Sequence, residues 1–473
     1  MSVSDRTQVP DLTDVSHATQ VAIVGGGFTG LAAAYELAKR GIKVTVLEAE
    51  TEIGGLASAF KVGGTRLDRF YHHWFTSDLD VMGVIEELGV ADQVAINPTN
   101  TGVYYANRIF RLSTPWDLLN FSALGVVDRI RLGLLALRAR RVAHWEQLES
   151  KTASEWLREL GGEKVFEVVW RPLLKGKFGP YADDVSAVWF WNKLKLRGGS
   201  RGKAGEERLA YFKGGFVSLA DAMAKRIREL GGRIETGAPV SALRRDGANW
   251  RTETAKGVVT SPHVIATTAL PLVADMIREW AEPTYVASLE KIDYIGNVCL
   301  VLELSRSLSN TYWLNVNDPS FPFVGVIEHT NFEGPANYGG RHIVYLSKYL
   351  PHTDALYRMD ADGFLDYALP FLQKMFPDFD RSWILAHHIW RARWSQPVVG
   401  KYYSRLIPSQ DGPAPGFHIC SMAQIYPEDR GTNYAIREGR KIARRLAERI
   451  EPRSTVDSQG RDPSPAIASS DQT

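Results

Sequence analysis

The hydrophobic pattern changes period three times within the first fifty residues, and each change marks an element. Val21-Ala22-Ile23-Val24 is an uninterrupted apolar run, as a strand buried on both faces requires. Alanines and leucines at helical spacing follow as far as Arg40, where Gly41 stops the helix. Val44-Thr45-Val46-Leu47 forms a second buried run, and it ends on Glu48. Gly25-x-Gly27-x-x-Gly30 fills the corner between the first run and the helix. In such a corner the first glycine permits the turn, the second admits a pyrophosphate, and the third lets the helix lie close on the strand. Phe28 and Thr29 ride in the same corner, at a helix N-terminus whose free N–H groups and partial positive charge suit phosphate. Glu48 stands 18 residues beyond Gly30, where an acid can accept hydrogen bonds from ribose hydroxyls. The unit predicts a dinucleotide site.

Further along, Lys213-Gly214-Gly215-Phe216 introduces a helix to about Leu230, which Gly231-Gly232 ends. Arg233 to Thr236 reads as a strand leading to Val240, and Ser241 to Val259 as a hairpin. His263 to Ala266 is a further strand, followed by Thr267. Pro415 to Cys420 reads as a last buried strand, and Gly431 to Gly439 opens a final helix. Between these segments, 75–204 is expected to be mostly helical, while 284–409 holds strand-like runs such as Asn297–Leu304 and His342–Leu346.

Composition narrows the class. The chain has 473 residues, 44% of them hydrophobic, enough for a large core and two domains. A net charge of +2 gives no reason to expect nucleic acid. Two cysteines, Cys299 and Cys420, without ligand spacing predict neither a metal site nor a disulfide framework, which suits a cytoplasmic protein. Residues 1–18 are polar and predict a disordered N-terminus without a secretory signal. Ser, Pro, Asp and Gln dominate 451–473, predicting a disordered tail. No apolar run approaches the roughly 20 residues that span a bilayer.

Glu48 is followed by Ala49 and then by Gly54-Gly55-Leu56-Ala57, a second glycine pair that would bring another loop close to the cofactor. With the later Gly214-Gly215 and Gly431 to Gly439 segments, the chain resembles the flavoprotein superfamily of amine oxidases, protoporphyrinogen oxidases, phytoene desaturases and UDP-galactopyranose mutases. The resemblance implies non-covalent FAD and an α/β fold. Its Rossmann-like FAD-binding domain would be discontinuous (19–74, 205–283 and 410–450), with an α+β substrate domain inserted as 75–204 and 284–409. It also implies cofactor contacts from Val240, Thr267, Ser421, Asn433, Tyr434 and Ala435. Two departures stand out. Cys420-Ser421-Met422 replaces the usual Gly-Asp, so that Ser421 or Asp429 would have to substitute, and Asn433-Tyr434-Ala435 replaces Glu-Gly-Ala. The amine oxidases' flavin-site lysine is missing from Gly296–Leu300, and no cysteine accompanies Gly400-Lys401-Tyr402.

Four stretches carry candidate chemistry. Tyr71, His72 and His73 follow the Gly63-Gly64 turn and are candidates for acid, base or orienting roles, or for plain packing. Arg171, Lys175 and Lys177, with Lys193, Lys195, Arg197 and Arg201 beyond, form either a cleft for an anionic substrate or a solvated basic surface. Val127 to His144 is apolar and basic: a core helix with arginines on its wet face, or a helix lying on an anionic membrane, as an isoprenoid substrate would suit. Trp390 and Trp394 either wall a substrate cavity or pack a sheet. The reaction implied by the resemblance is hydride removal from a C–C, C–N or C–O bond of a small organic substrate. A redox-neutral isomerase and a non-catalytic flavin-binding partner stand as alternatives, and a homodimer stays open.

Overall fold

The computed structural model describes residues 18–111, 117, 120–196 and 207–450. The expected disordered residues 1–17 and 451–473, together with Arg197 and Arg201, lie outside the described residues.

The two apolar runs of the N-terminus form the centre of a five-stranded parallel sheet. Its order is Arg233–Glu235, Val44–Leu47, Val21–Val24, His263–Ala266, Phe417–Ile419. Strand periodicity divides these residues between two cores. Val21, Ile23, Val44, Val46 and Ile265 join one core with helices Phe28–Ala38, Phe216–Glu229 and Thr432–Ile450. Ala22, Val24, Leu47, Val264 and Ala266 face a second core, shared with the three-stranded antiparallel sheet Val240–Asp246, Asn249–Thr254, Gly257–Ser261. Covered on both faces, the parallel strands have to be apolar throughout. The chain therefore has an α/β, Rossmann-like fold.

The C-terminal helix crosses the first helix closely because Gly439 leaves room: a Cβ there would meet the Thr29 carbonyl oxygen at 2.3 Å. Glu36 locks the crossing. It sits 4% exposed on the first helix and accepts from Arg440 and Arg444 of the C-terminal helix at 3.0 Å each. Burial opposes its charge, but the Arg444 hydrogen bond with Lys39 and Arg440 nearby brings its pKa down to about 2.

A seven-stranded sheet faces this unit, in the order Ile384–Pro397, Tyr294–Leu304, His342–Leu350, Gly325–Glu328, Trp313–Val316, Thr101–Tyr105, Arg108–Arg111. Its outer face (Val298, Leu300, Leu302, Val344 and Leu346) packs on Phe364, Leu365 and Leu372 of helix Ala361–Met375. Its inner face puts Cys299, Val301 and Tyr345 into the first core.

The structure refines three expectations. Helices make up most of the described part of 75–204, as expected, but Thr101–Tyr105 and Arg108–Arg111 complete the large sheet, and Val94–Pro98 pairs with Arg208–Phe212. Alternation in so short a stretch was hidden among tyrosines and arginines. Val240 does not continue the parallel strand but opens the antiparallel sheet, after Ala238 N–H has bonded to the Glu48 carbonyl. Helix Val126–Arg140 buries only Leu132, Leu135 and Ala139. Its wet face, expected to hold arginines, also carries Val126, Val127, Ile130, Leu134 and Leu137.

Candidate functional site

The C-terminal ends of the parallel strands bring Gly25, Glu48, Thr267 and Ser421 along one edge, where doubly wound sheets bind their ligands. Gly25 has φ +107°, and a Cβ on it would strike the Thr267 hydroxyl at 2.6 Å. That hydroxyl donates to the carbonyls of Val24 at 2.8 Å and Gly25 at 3.3 Å, so Thr267 seals the turn. Glu48 is buried and accepts from Gly26 N–H at 2.6 Å and Glu50 N–H at 2.9 Å, while Ala49 beside it is exposed. Gly54 N–H bonds to the Gly26 carbonyl at 2.9 Å and draws the Gly55-Leu56-Ala57 turn over the corner. A Cβ on Gly55 would come 3.3 Å from Gly27 Cα. Two glycine backbones thus face each other bare, and the residues present fit a dinucleotide pyrophosphate. Phe28 is buried in the helix, and Thr29 is only partly so.

Past this edge, several expected contacts are otherwise engaged. Ser421 caps a short turn: its hydroxyl faces Ala423 N–H at 3.5 Å, and its own N–H donates to Gln424 at 2.7 Å. Asn433 accepts from Val81 N–H at 3.0 Å and donates to Asp80 at 3.3 Å, anchoring the C-terminal helix to helix Leu79–Glu87. Asp429 is 5% exposed, bonded to Lys193 at 2.6 Å and to Gln396 at 3.1 Å. Tyr434 lies under Arg437, whose guanidinium is 4.9 Å from its ring centre, and Ala435 packs on the first core.

Between the strand ends and the inner face of the large sheet lies a group of side chains enclosed by protein yet retaining accessible surface: Tyr71, His72, Lys177, Tyr349 and Arg430. Tyr71 crosses Trp313 edge-on at 4.9 Å, and its hydroxyl donates to Ser347 at 3.2 Å. His72 stacks on Phe216 at 5.3 Å; burial, then Arg430, lowers its pKa to about 4, leaving a neutral imidazole. His73 points away from it, 3.0 Å from the Tyr312 hydroxyl, as adjacent residues in extended chain do. Trp390 packs on Phe60 at 5.1 Å, beneath the Arg69 guanidinium at 4.6 Å. Trp394 meets Tyr294 edge-on at 5.5 Å. Arg69 Nε, Asn297 Oδ1 and Trp390 Nε1 are buried here without a hydrogen-bond partner.

Of the described residues of the basic run, Lys177 reaches this space, with Nζ 4.7 Å from the Tyr349 ring centre, and Lys193 pairs with Asp429 beside it at 2.6 Å. Arg171 pairs with Glu167 at 2.8 Å and Lys175 with Asp183 at 2.8 Å, both on the exposed side of helix Arg171–Phe178. Sequence reasoning missed Tyr349, Arg430, Asn297 and Arg69. Alternation along His342–Leu350 was the one available signal, since it puts Tyr345, Ser347 and Tyr349 on a single face.

Strand order and the glycine corner together define a Rossmann-like, dinucleotide-binding fold faced by a seven-stranded sheet. The chain belongs to the family of flavin-containing amine oxidoreductases, which matches residues 28–447. It is 26% identical to the mitochondrial protoporphyrinogen oxidase of Nicotiana tabacum over 45% of this chain and 49% of that one, about half the relative's length. A 15-cis-phytoene desaturase of an Oncidium hybrid cultivar is 23% identical over 85% of this chain and 73% of that one. In fold, a putative protoporphyrinogen oxidase from Exiguobacterium superposes with a TM-score of 0.71 at 17% identity, covering 91% of this chain and 98% of that one. A reduced UDP-galactopyranose mutase gives 0.70 at 15% identity, over 91% and 95%. FAD is the family's cofactor, and the chain is an oxidoreductase by family.

Proposed function

We propose that this protein removes hydride from a C–C, C–N or C–O bond of an organic substrate held between the parallel-strand edge and the inner face of the large sheet. One observation carries the reading: a bare glycine cradle at the strand ends is accompanied by a cluster of Tyr71, His72, Lys177, Tyr349 and Arg430 on the inner face of the large sheet. The proposal includes the division into FAD-binding segments 19–74, 205–283 and 410–450 and substrate segments 75–204 and 284–409. FAD, when bound, supplies the hydride acceptor. The Gly25–Gly30 corner and Gly55 would hold the pyrophosphate, and Glu48 would accept from the ribose hydroxyls. The C-terminal helix begins at Thr432, and its N-terminus together with Arg430 would supply positive potential to a reduced, negatively charged ring. Tyr71, Trp313 and Trp390 exclude water.

The test is anaerobic flavin bleaching by a panel of amines, alcohols, porphyrinogens and polyprenyl compounds. Bleaching with formation of an oxidised product supports the proposal. Turnover of a nucleotide sugar only after prior reduction, without net oxidation, would replace it by an isomerase.

The exposed stripe on helix Val126–Arg140 favours work at a membrane surface. Val126, Val127, Ile130, Leu134 and Leu137 are 43% to 68% exposed and fall within an arc of about 100° on the helix. Arg131 and Arg138 flank one side of the arc, Arg129 and Arg140 the other. Apolar residues edged by arginines fit an anionic bilayer, and no helix among the described residues is long and apolar enough to cross one. The protein should co-sediment with phosphatidylglycerol vesicles more strongly than with phosphatidylcholine. Ile130→Glu with Leu134→Glu should weaken that binding by about tenfold or more. Concentration-dependent dimerisation lost in the same variant, without vesicle binding, would assign the stripe to a second copy instead.

A further inference from the structure

Tyr349 has no role in the reading so far, and its surroundings are unusual for a phenol. It stands on the inner face of strand His342–Leu350, paired across the ladder with Asn297. Arg430 directs Nη2 at its oxygen from 3.4 Å, and Lys177 Nζ lies 4.7 Å from its ring centre. The Tyr71 phenol is within hydrogen-bonding reach. Guanidinium and ammonium groups only donate, so both favour an oxygen that has given up its proton.

Every element packed around Tyr349 contributes to this balance. Helix Arg171–Phe178 brings Lys177, and helix Ala187–Leu196 brings Lys193. The loop before the C-terminal helix brings Asp429 and Arg430, the segment after Thr65–Asp68 brings Tyr71 and neutral His72, and the neighbouring strand brings Cys299. Lys177 and Arg430 favour the charged oxygen and Asp429 opposes it, but Lys193 already holds that carboxylate at 2.6 Å; burial lowers the pKa of Lys177 itself. Burial raises the Tyr349 pKa, but Lys177 and then Arg430 overcome it and hold the phenol below its ordinary value. Tyr71, buried beside it, is pushed the other way, so the pair gives up its proton at Tyr349.

We propose that the Tyr349 oxygen, faced by Arg430 Nη2 with Lys177 over the ring, is the base that accepts the proton leaving oxygen or nitrogen when a C–O or C–N bond is oxidised. The inference rests on the hydride-transfer reading and narrows its substrates to alcohols and amines. The balance closes in one step. The substrate C–H bond breaks with its electron pair going to oxidised FAD, the O–H or N–H bond breaks with its proton going to Tyr349, and C=O or C=N forms. Lys177 is the positioning residue that keeps the phenolate available.

Fluorine NMR of fluorotyrosine-labelled holoprotein tests this without needing a substrate. The resonance absent from Tyr349→Phe should titrate below that of an ordinary tyrosine. It should move up by about one unit or more in Lys177→Met and stay low in Lys177→Arg. With whichever panel amine or alcohol bleaches the flavin, Tyr349→Phe should slow anaerobic reduction about 10²- to 10⁴-fold. The alkaline-rising limb of the pH profile should disappear while flavin content is retained. A Tyr349 resonance titrating at or above the ordinary value, or indifferent to Lys177→Met, would overturn the inference, as would reduction by hydrocarbon substrates alone. Absence of flavin would instead overturn the underlying reading, and the titration would still report on Tyr349.

Discussion

Gly30→Ala is expected to yield protein that no longer retains FAD. The added Cβ would lie 2.0 Å from the Gly25 carbonyl oxygen and 3.2 Å from the Thr267 hydroxyl. Neither can step aside, because Thr267 bonds to the carbonyls of Val24 and Gly25 and the Gly25 turn continues a central strand. The first helix must therefore move away from the sheet, and Gly27 moves with it away from Gly55. Overpacking of this kind costs about 1–3 kcal/mol or more, enough to lower the melting temperature as well as the flavin content. Gly27→Ala separates the two effects. Its Cβ would meet only Gly55 Cα, at 3.9 Å, so the fold should persist while the pyrophosphate loses its place. The ratio of flavin to protein absorbance, read beside thermal unfolding, checks both variants. Flavin retained at the wild-type ratio in Gly30→Ala would show that the corner is not the phosphate site.

Glu36→Gln is expected to be the most destabilising conservative change on the helix pair. Glu36 accepts from Arg40, Arg440 and Arg444 and is paired with Lys39, while Arg440 continues to Glu87. An amide keeps the shape but leaves the cations of two helices without their shared charge, a loss of about 2–3 kcal/mol. The pH dependence has a definite sign. The folded pKa, about 2, lies below the ordinary 4.5, so the stabilisation is present above 4.5 and is lost as pH falls toward 2. Urea unfolding should show wild type and Glu36→Gln well separated at pH 7 and converging as the medium becomes acid. A gap that stays constant down to pH 3 would mean that the ion pairs contribute little.

The two ends of the site differ in how far the sequence exposes them. Gly25, Gly27, Gly30, Glu48 and Gly55 lie within 31 residues of one β-α-β unit, so spacing alone places them and their partner strands. At the other end, Tyr71, Lys177, Tyr349 and Arg430 come from four separate segments, and only folding of the large sheet brings them together. Local pattern carries no signal for such convergence. Arg171 and Lys175 illustrate the converse, since they share a helix with Lys177 yet face solvent and bond to their own acids. Asn433 and Ser421 stand near the expected edge, but their side chains satisfy helix and turn ends. Helix Val126–Arg140 was legible as apolar and basic. Which stripe faced outward depended on its packing against helices Ala153–Gly161 and Ala187–Leu196.

A crystal structure of the FAD-loaded protein tests the central claim most directly. The expected density places the pyrophosphate between Gly27 and Gly55, the adenosine ribose at Glu48, and the isoalloxazine ring in the space bounded by Tyr71, Arg430 and Trp390. Flavin bound elsewhere, or that space filled by protein with the ring turned to solvent, would contradict it.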